Sequence, residues 1–546
     1  MNRATIALCM IVRDEELRLP SCLASVAGLC DERIVVDTGS QDDTVAVAER
    51  AGARVIHFPW CDDFAAARNA GLREATCDWV LVLDADEQLA PGDDARVRQA
   101  VAEAPCACGT LELHDAARLD ATAEEILSGR ARSGEPMAVP RLFRRTSDLA
   151  FEGIVHESVR AWLVRNGART WDTGARIVHF GAVPSLRVDR DKHRRNARLL
   201  ERRLESEPED FTVHGYLAHE LIAAGDLERA LTVADAGFRH VRGATPVTLR
   251  SATRLMAARC LLQFQRADAD GMLATVADAI AYEGEGPDAL FFRGRAHELR
   301  ALTQRLHRDD ELERATAAYR ACLTWASRPV GQRFVVGASG WSGRARLATV
   351  RLLAGDADEA LPLYEASLAE HPDQDEAALG ACEALIELGR PETALARLEP
   401  LRRELPRSDA WILSARAALE LGRTDDMKRY LAGVRERASM GQTGLHRRET
   451  HAALLCALTA LLGRPQAGPG AVGVACGWMG GHAGTETVTR GEQRILTSVI
   501  RSILQAGQAP LAERLLLPEV EAALPGIVTL VKQAVRELGM SIEDRN

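Results

Sequence analysis

Asp84, Asp86 and Glu87 close the apolar run Trp79-Val80-Leu81-Val82-Leu83, with only Ala85 among them. A run of that kind suits a strand buried on both faces, and its acidic end marks where the strand leaves the core. Along an extended chain side chains alternate, so Asp84 and Asp86 are expected to point the same way. Paired carboxylates at the end of a parallel strand suit a hard divalent cation, Mn²⁺ or Mg²⁺, with positions left open for phosphate oxygens. An Asp-x-Asp pair alone is a weak signal, and its context gives it weight.

The elements that must position these acids alternate in type. Ile6 to Val12, Arg33 to Val36, Arg54 to Phe58 and Trp79 to Leu83 read as strands. Glu15 to Ala27, Thr44 to Ala51 and Phe64 to Ala75 carry helical spacing between them. This order predicts a mostly parallel, Rossmann-like α/β sheet whose ligands lie outside the carboxyl ends of the strands. Polar residues follow three of those strands: Arg13 and Asp14, Asp37 to Ser40, and Asp84 to Glu87. Val139 to Phe143 and Arg176 to Phe180 are later strand candidates, and the polar stretch His114 to Pro136 is expected to be a helical insertion or a lid. Past about Asp191 the pattern becomes all-α. Gly355, Ala360, Tyr364 and Pro372 recur as Gly389, Ala394, Leu398 and Pro406, each about 34 residues on, which is the tetratricopeptide period. Gly225-Asp226-Leu227 repeats the turn earlier, Leu421-Gly422-Arg423 echoes it later, and Ala315 with Tyr319 mark a degenerate copy.

Four ordered motifs, Met10-Ile11-Val12-Arg13-Asp14-Glu15-Glu16, Val35-Val36-Asp37-Thr38-Gly39-Ser40, Ala67-Arg68-Asn69-Ala70-Gly71 and Leu83-Asp84-Ala85-Asp86-Glu87, resemble glycosyltransferase family 2. They resemble in particular its bacterial branch fused to tetratricopeptide repeats, which includes peptide S-glycosyltransferases. The resemblance implies a GT-A fold, inversion at the anomeric carbon, a divalent cation (Mn²⁺ or Mg²⁺) and a nucleotide-sugar donor, expected to be a UDP-sugar. It places Val12, Arg13, Asp14, Asp37, Arg68 and Asp84 on the nucleotide sugar, and Asp86, Asp84 and His179 at the metal. Arg13-Asp14-Glu15 stands where the family often carries Tyr-Asn-Glu, so base stacking from this motif is in doubt. The implied organisation is a GT-A domain over 1–185, tetratricopeptide-like helices over 186–462, a glycine-rich loop or hinge over 463–490 and a helical cap over 491–546.

The residue chemistry agrees with this reading. A carboxylate such as Asp37 accepts the N–H of a base, and a guanidinium such as Arg68 supplies fixed donors to phosphate or carbonyl oxygen. Each also has a plainer reading: Asp37-Thr38-Gly39-Ser40 as turn chemistry and helix cap, Arg68 as an exposed helix arginine. An inverting transfer needs a base for the acceptor proton. Phe151-Glu152-Gly153-Ile154-Val155-His156-Glu157 offers Glu157 first and Glu152 next, with His156 orienting acceptor or base, or the segment only anchors a loop. His179 in Arg176-Ile177-Val178-His179-Phe180 either completes the metal shell or is a satisfied core histidine. Trp60, Asp62 and Asp63 line the approach to Arg68 or form a helix entry.

The whole chain sets bounds on function. Its 546 residues exceed one ordinary core, and 47% hydrophobic with 27% charged residues is a globular balance. A net charge of −10 argues for solubility and against general nucleic-acid affinity. The basic stretch Arg187 to Arg203 is broken by acids and reads as a solvated helix face. Twelve cysteines without paired C-x-x-C spacing argue against zinc and for reduced thiols in a cytoplasmic protein. No apolar run is long enough to span a bilayer. The expected function is metal-dependent sugar transfer to a peptide, protein or glycan acceptor, with the repeats positioning the acceptor and open to self-association. The alternative is a repeat-based adaptor that binds a nucleotide sugar without transferring it. A nucleotidyltransferase fits poorly, because no glycine-rich, lysine-bearing phosphate loop is present.

Overall fold

A computed structural model describes residues 3–439, apart from 135, 168, 182, 184–189, 247–249, 304–306, 327–333 and 407, together with 532 and 536. The glycine-rich segment and helical cap expected beyond 463 lie outside the described residues, save those last two positions.

The first part of the chain alternates as β1 (Ile6–Val12), α1 (Leu19–Ser25), β2 (Glu32–Asp37), α2 (Thr44–Arg50), β3 (Arg54–His57), α3 (Phe64–Glu74) and β4 (Trp79–Val82). These strands are mutually parallel, with β1 between β2 and β4. Successive residues of one strand supply opposite cores. Ile6, Leu8, Met10 and Val12 join Trp79 and Leu81 on one face, while Ala7 and Cys9 join Val80, Val82 and Phe143 on the other. Burial on both faces is why these strands read as continuous apolar runs. The register sets Val12 beside Asp37 and Asp37 beside His57, so the polar exits of β1 to β3 are level at one edge.

The chain continues through β5 (Glu87–Leu89), α4 (Asp94–Ala102), β6 (Cys108–Asp115), α5 (Ala123–Leu127), β7 (Met137–Arg144), α6 (Arg160–Arg165) and β8 (Trp171–His179). Among the described residues the sheet has eight strands in the order β3-β2-β1-β4-β7-β6-β8-β5, with β7 antiparallel to β4. The architecture is a GT-A-like, mostly parallel α/β domain followed by a helical repeat region.

Three expectations need correction. The first helix is shorter than Glu15 to Ala27, and begins where Pro20 occupies its first turn without costing a hydrogen bond. His114 belongs to β6 and not to the insertion; it is 3% exposed with Glu112 beside it. The strands β5 and β6 were not foreseen: β5 has three residues, and β6 carries polar residues between its buried leucines. The excursion between β6 and β7 does hold one short helix, α5, opened by a capping box between Thr122 and Glu125. It closes at its base through the Ala116–Arg132 bridge and the Ser133 N–H on the Asp115 carbonyl, 2.8 Å.

Helical hairpins follow β8. They begin with α7 (Arg190–Ser206), α8 (Phe211–Ala224), α9 (Leu227–Val241), α10 (Thr253–Gln265) and α11 (Ala269–Glu283), which pack as one compact unit with the sheet. A second unit takes the described residues of 293–326 and 338–439. It contains most of α12 (Pro287–Thr303), then α13 (Arg308–Leu323), α14 (Trp341–Leu353), α15 (Ala357–Glu370), α16 (Asp375–Glu387), α17 (Pro391–Glu404), α18 (Asp409–Glu420) and α19 (Thr424–Ser439). The residues of the 34-residue period stand where two helices must approach. Ala360, Tyr364, Ala394 and Leu398 are buried, and Gly389 turns between α16 and α17 with φ of 68°, a left-handed value that favours glycine. Ala315 and Tyr319 of α13 are buried in the same manner.

Candidate active site

The loops leaving β1 and β2 are tied to each other. The Val12 carbonyl accepts from the Thr38 N–H and hydroxyl, each at 3.0 Å. The Asp14 N–H donates to Ser40 Oγ (3.0 Å), and Asp14 Oδ1 accepts from the Gln41 N–H (2.7 Å). Asp14 holds φ of 55°, and both Asp14 and Arg13 are exposed. Asp37 is 5% exposed and accepts from the N–H groups of Gly39 (3.3 Å) and Ser40 (3.0 Å). Burial alone would raise the Asp37 carboxyl, but hydrogen bonds from Ser40 and Gly39 outweigh it and hold the group below its ordinary value. The turn reading of this motif holds: the Ser40 side chain and the Ser40 and Gly39 amides favour the ionised Asp37 carboxylate.

Arg68 reaches this edge because α3 lies close on the sheet. A Cβ on Gly71, one turn further along, would stand 3.0 Å from Val36 Cγ2. Asp63 caps the helix by accepting from the Ala66 N–H at 2.8 Å, while Trp60 Nε1 donates to Asp62 (2.9 Å), so this pair forms the helix entry. Arg68 Nε donates to Glu157 (2.5 Å) and Nη2 to Asp84 (2.8 Å), and its guanidinium lies 5.5 Å from the centre of the Phe151 ring. The other Asp84 oxygen accepts from Arg141 Nη2 at 3.1 Å, and the same nitrogen bonds Glu87. Charges thus alternate along Glu157, Arg68, Asp84, Arg141 and Glu87. Burial would raise the Asp84 carboxyl, but Arg68 and then Arg141 hold it well below the usual carboxylate range. Burial, followed by the nearby Asp84 charge, leaves Glu87 raised even with Arg141 beside it. Arg68 Nη1 and Arg141 Nε are buried with no hydrogen-bond partner among the described residues.

The paired-aspartate geometry is corrected. The chain does not run extended from Asp84 to Asp86: the Glu87 N–H bonds back to the Asp84 carbonyl (3.0 Å), which makes a turn. Asp84 therefore faces the two arginines and Asp86 faces His179. Asp86 Oδ2 lies 3.6 Å from His179 Nε2, and His179 Nδ1 meets Asp115 at 2.6 Å. Burial alone would lower the imidazole pKa, but Asp115 and Asp86 on its two sides push it up to about 10. A Cβ on Gly181 would fall 2.0 Å from Asp86 Oδ2 and 2.7 Å from His179 Nε2, so the space over this pair needs glycine.

Of the candidate bases, Glu152 is exposed, with its backbone bridged to Ser158. Glu157 Oε1 accepts from Arg68 Nε, so this carboxylate and the guanidinium fix each other's position. His156 stacks on Tyr216, with ring centres 3.9 Å apart and planes at 12°.

The sequence model of glycosyl transferase family 2 matches residues 7–152, the segment that builds this edge up to Phe151. Residues 7–152 are a family 2 glycosyltransferase domain. The tetratricopeptide repeat model matches residues 351–419, which run from the end of α14 into α18. A TPR repeat-containing protein of Synechococcus elongatus is 37% identical over 234 residues, 42% of this chain and 55% of its own. The SPbeta prophage-derived glycosyltransferase SunS of Bacillus subtilis is 28% identical over 210 residues, 38% of this chain and 46% of its own. An uncharacterized glycosyltransferase of Rickettsia conorii is 42% identical over 86 residues, 15% of this chain and 29% of its own. The chain spans about half the length of the first two relatives.

Within the family 2 domain, sequence reasoning missed Asp115 and gave no individual role to Glu87, within Asp84 to Glu87, or to Arg141, within the motif Pro140-Arg141-Leu142-Phe143-Arg144. Arg141 was visible as an arginine before the buried Leu142-Phe143 of a strand, a position where a charge needs a partner. Among the described residues no helix is long and apolar enough to cross a membrane.

Proposed function

We propose that this chain is a metal-dependent, inverting glycosyltransferase that moves a sugar from a UDP-sugar to an acceptor. The observation that carries the reading is the alternating charge chain from Glu157 to Glu87, set where the parallel strands end. Arg68 keeps an unpartnered buried donor there, and a buried donor left unmatched is costly unless a ligand oxygen meets it. Asp37, kept ionised by turn amides, would accept the base N–H. Arg68 and Arg141 would hold phosphate or carbonyl oxygens, with Glu157 aiming Arg68.

The residues over Asp86 offer two donors to a divalent cation, although among the described residues no cluster of three or more ligand side chains is assembled. A carboxylate and an imidazole converge, Asp115 on Nδ1 fixes Nε2 as the nitrogen facing Asp86, and glycine keeps the space above them clear. Asp86 and His179 would hold Mn²⁺ or Mg²⁺ once the ion displaces the proton that Asp115 and Asp86 favour on the imidazole, with Asp84 left to the arginines. When bound, such an ion neutralises charge gathering on the departing diphosphate. We assign residues up to 185 to the transfer domain and the helices from 190 to 439 to the repeats, the rest of the expected span to 462 lying outside the described residues; the repeats would present a peptide or protein acceptor, a use to which helical solenoids are suited.

The test is a thermal-shift panel of nucleotide sugars with and without Mn²⁺. A UDP-sugar should raise the melting temperature, and more so with the cation. No response to any nucleotide sugar, with or without metal, would sink the reading.

A further inference from the structure

We propose that Glu220, on α8, is a positioning residue of the active site that acts through His156 on the loop carrying Glu157 to Arg68. The inference rests on the proposed nucleotide-binding role of Arg68 and adds to it a part of the chain outside the matched family 2 segment.

The loop closes on itself. The Glu152 and Ser158 backbones exchange hydrogen bonds at 2.9 and 3.0 Å. Two residues inside it adopt left-handed backbone, Gly153 at φ of 94° and His156 at φ of 48°. A non-glycine residue holds that conformation at a cost on the order of 1 kcal/mol or more, so its surroundings must impose it. On one side the Ile154 carbonyl accepts from the Phe64 N–H at 2.9 Å, which ties the loop to the start of the helix bearing Arg68. On the other side the constraint comes from α7 and α8. Arg203 Nη1 donates to the Val155 (3.0 Å) and His156 (3.4 Å) carbonyls, and a Cβ on Gly153 would stand 2.5 Å from that same nitrogen. Tyr216 stacks on the His156 ring, and Glu220 Oε1 lies 3.7 Å from His156 Nε2.

Glu220 is itself fixed. It is 7% exposed, its second oxygen meets His193 Nδ1 at 2.5 Å, and Asn196 Nδ2 donates to Oε1 at 3.2 Å. A buried carboxylate hydrogen-bonded by two side chains is a rigid post. Its reach runs from Glu220 to the His156 ring, from that ring to the backbone beside Glu157, and from Glu157 to Arg68. The first repeat hairpin is then a working part of the transfer site.

The test uses the full chain with Glu220→Gln, Glu157→Gln and the double variant. Affinity for UDP with Mn²⁺ is measured by calorimetry, and amide exchange is followed over residues 152–158. Glu220→Gln keeps the size and a hydrogen-bonding oxygen, so the melting temperature should stay near that of the parent. UDP affinity should fall roughly 10-fold, since small misplacements of a binding group carry losses up to ~100-fold. The double variant should be no weaker than the worse single one, because both changes act through one loop. Exchange over 152–158 should quicken. Should Glu220→Gln not fold, Tyr216→Leu removes the same support and must give the same pattern. Unchanged exchange, unchanged UDP affinity, or multiplied losses in the double variant would overturn the inference. If the parent chain itself ignores UDP, the nucleotide reading fails, and the exchange result still decides whether Glu220 holds the loop.

Discussion

The Nη2 of Arg68 stands 2.8 Å from Oδ1 of Asp84, joining helix α3 to the end of strand β4. The pair is asymmetric in exposure: the Arg68 side chain is 10% exposed and that of Asp84 36%. The guanidinium is therefore the walled-in partner, and the carboxylate is the one that meets solvent.

Removing the arginine should cost more than removing a surface ion pair. Arg68→Ala strands Glu157 and leaves Asp84 to Arg141 alone, and breaking a buried pair typically costs about 3–5 kcal/mol. Partial exposure of Asp84 places the expected loss near the lower end. Urea denaturation should show the drop, and sugar transfer should be lost with it. Arg68→Lys supplies one point charge where two separate nitrogens now bond two carboxylates, so it should recover only part of the stability.

Asp86→Ala should abolish the response to Mn²⁺ while leaving the melting temperature within a few degrees of the parent. Transfer at the normal rate by this variant would show that Asp86 holds no catalytic ion.

Gly181→Ala should weaken the Mn²⁺ response that Asp86→Ala abolishes, without replacing a charged group. The added methyl would sit 2.0 Å from Asp86 Oδ2, so Asp86 and His179 must part. Manganese-dependent activity measured against Mn²⁺ concentration should show a weakened metal response. An unaltered titration would mean that the two residues need not converge.

Asp37 should stabilise the fold in a pH-dependent way. Its folded pKa lies below the ordinary value, so its contribution is complete above the unfolded value, about 3.9. The contribution fades as pH falls through the folded pKa. Asp37→Asn should thus be less stable than the parent at pH 7, with the gap narrowing in acid. Urea midpoints at pH 7 and near pH 3 would show this, and a gap that widens in acid would reverse the sign argued here.

In the second unit, Gly380 faces Tyr364, and a Cβ there would lie 2.3 Å from the ring carbon Cζ. Gly380→Ala should destabilise the chain by about 1–3 kcal/mol through overpacking. Denaturant unfolding followed by circular dichroism would read the loss.

What the sequence disclosed followed the range of each signal. Strands buried on both faces announce themselves by composition, so β1, β2 and β4 were readable nearly to the residue. Repeat spacing is also a local, countable property, which is why Gly355 and Gly389 fell on real turns. The role of Arg141 was hidden because it depends on β7 lying against β4, a pairing between segments far apart in the chain that no periodicity reports. The turn at Asp84 to Glu87 was hidden because it uses neither glycine nor proline. Glu220 was out of reach for a similar reason: nothing near it in sequence hints at a partner in the loop at His156.

The excursion between β6 and β7 has a practical consequence. Its two ends are stitched together beside Asp115, and its tip, Ser128 to Arg130, is exposed with Gly129 at φ of 88°. Length added at the tip would bulge outward past the stitch and leave the strand pairing below undisturbed. That tip is where an affinity tag or a fluorophore can be grafted to follow the enzyme at work.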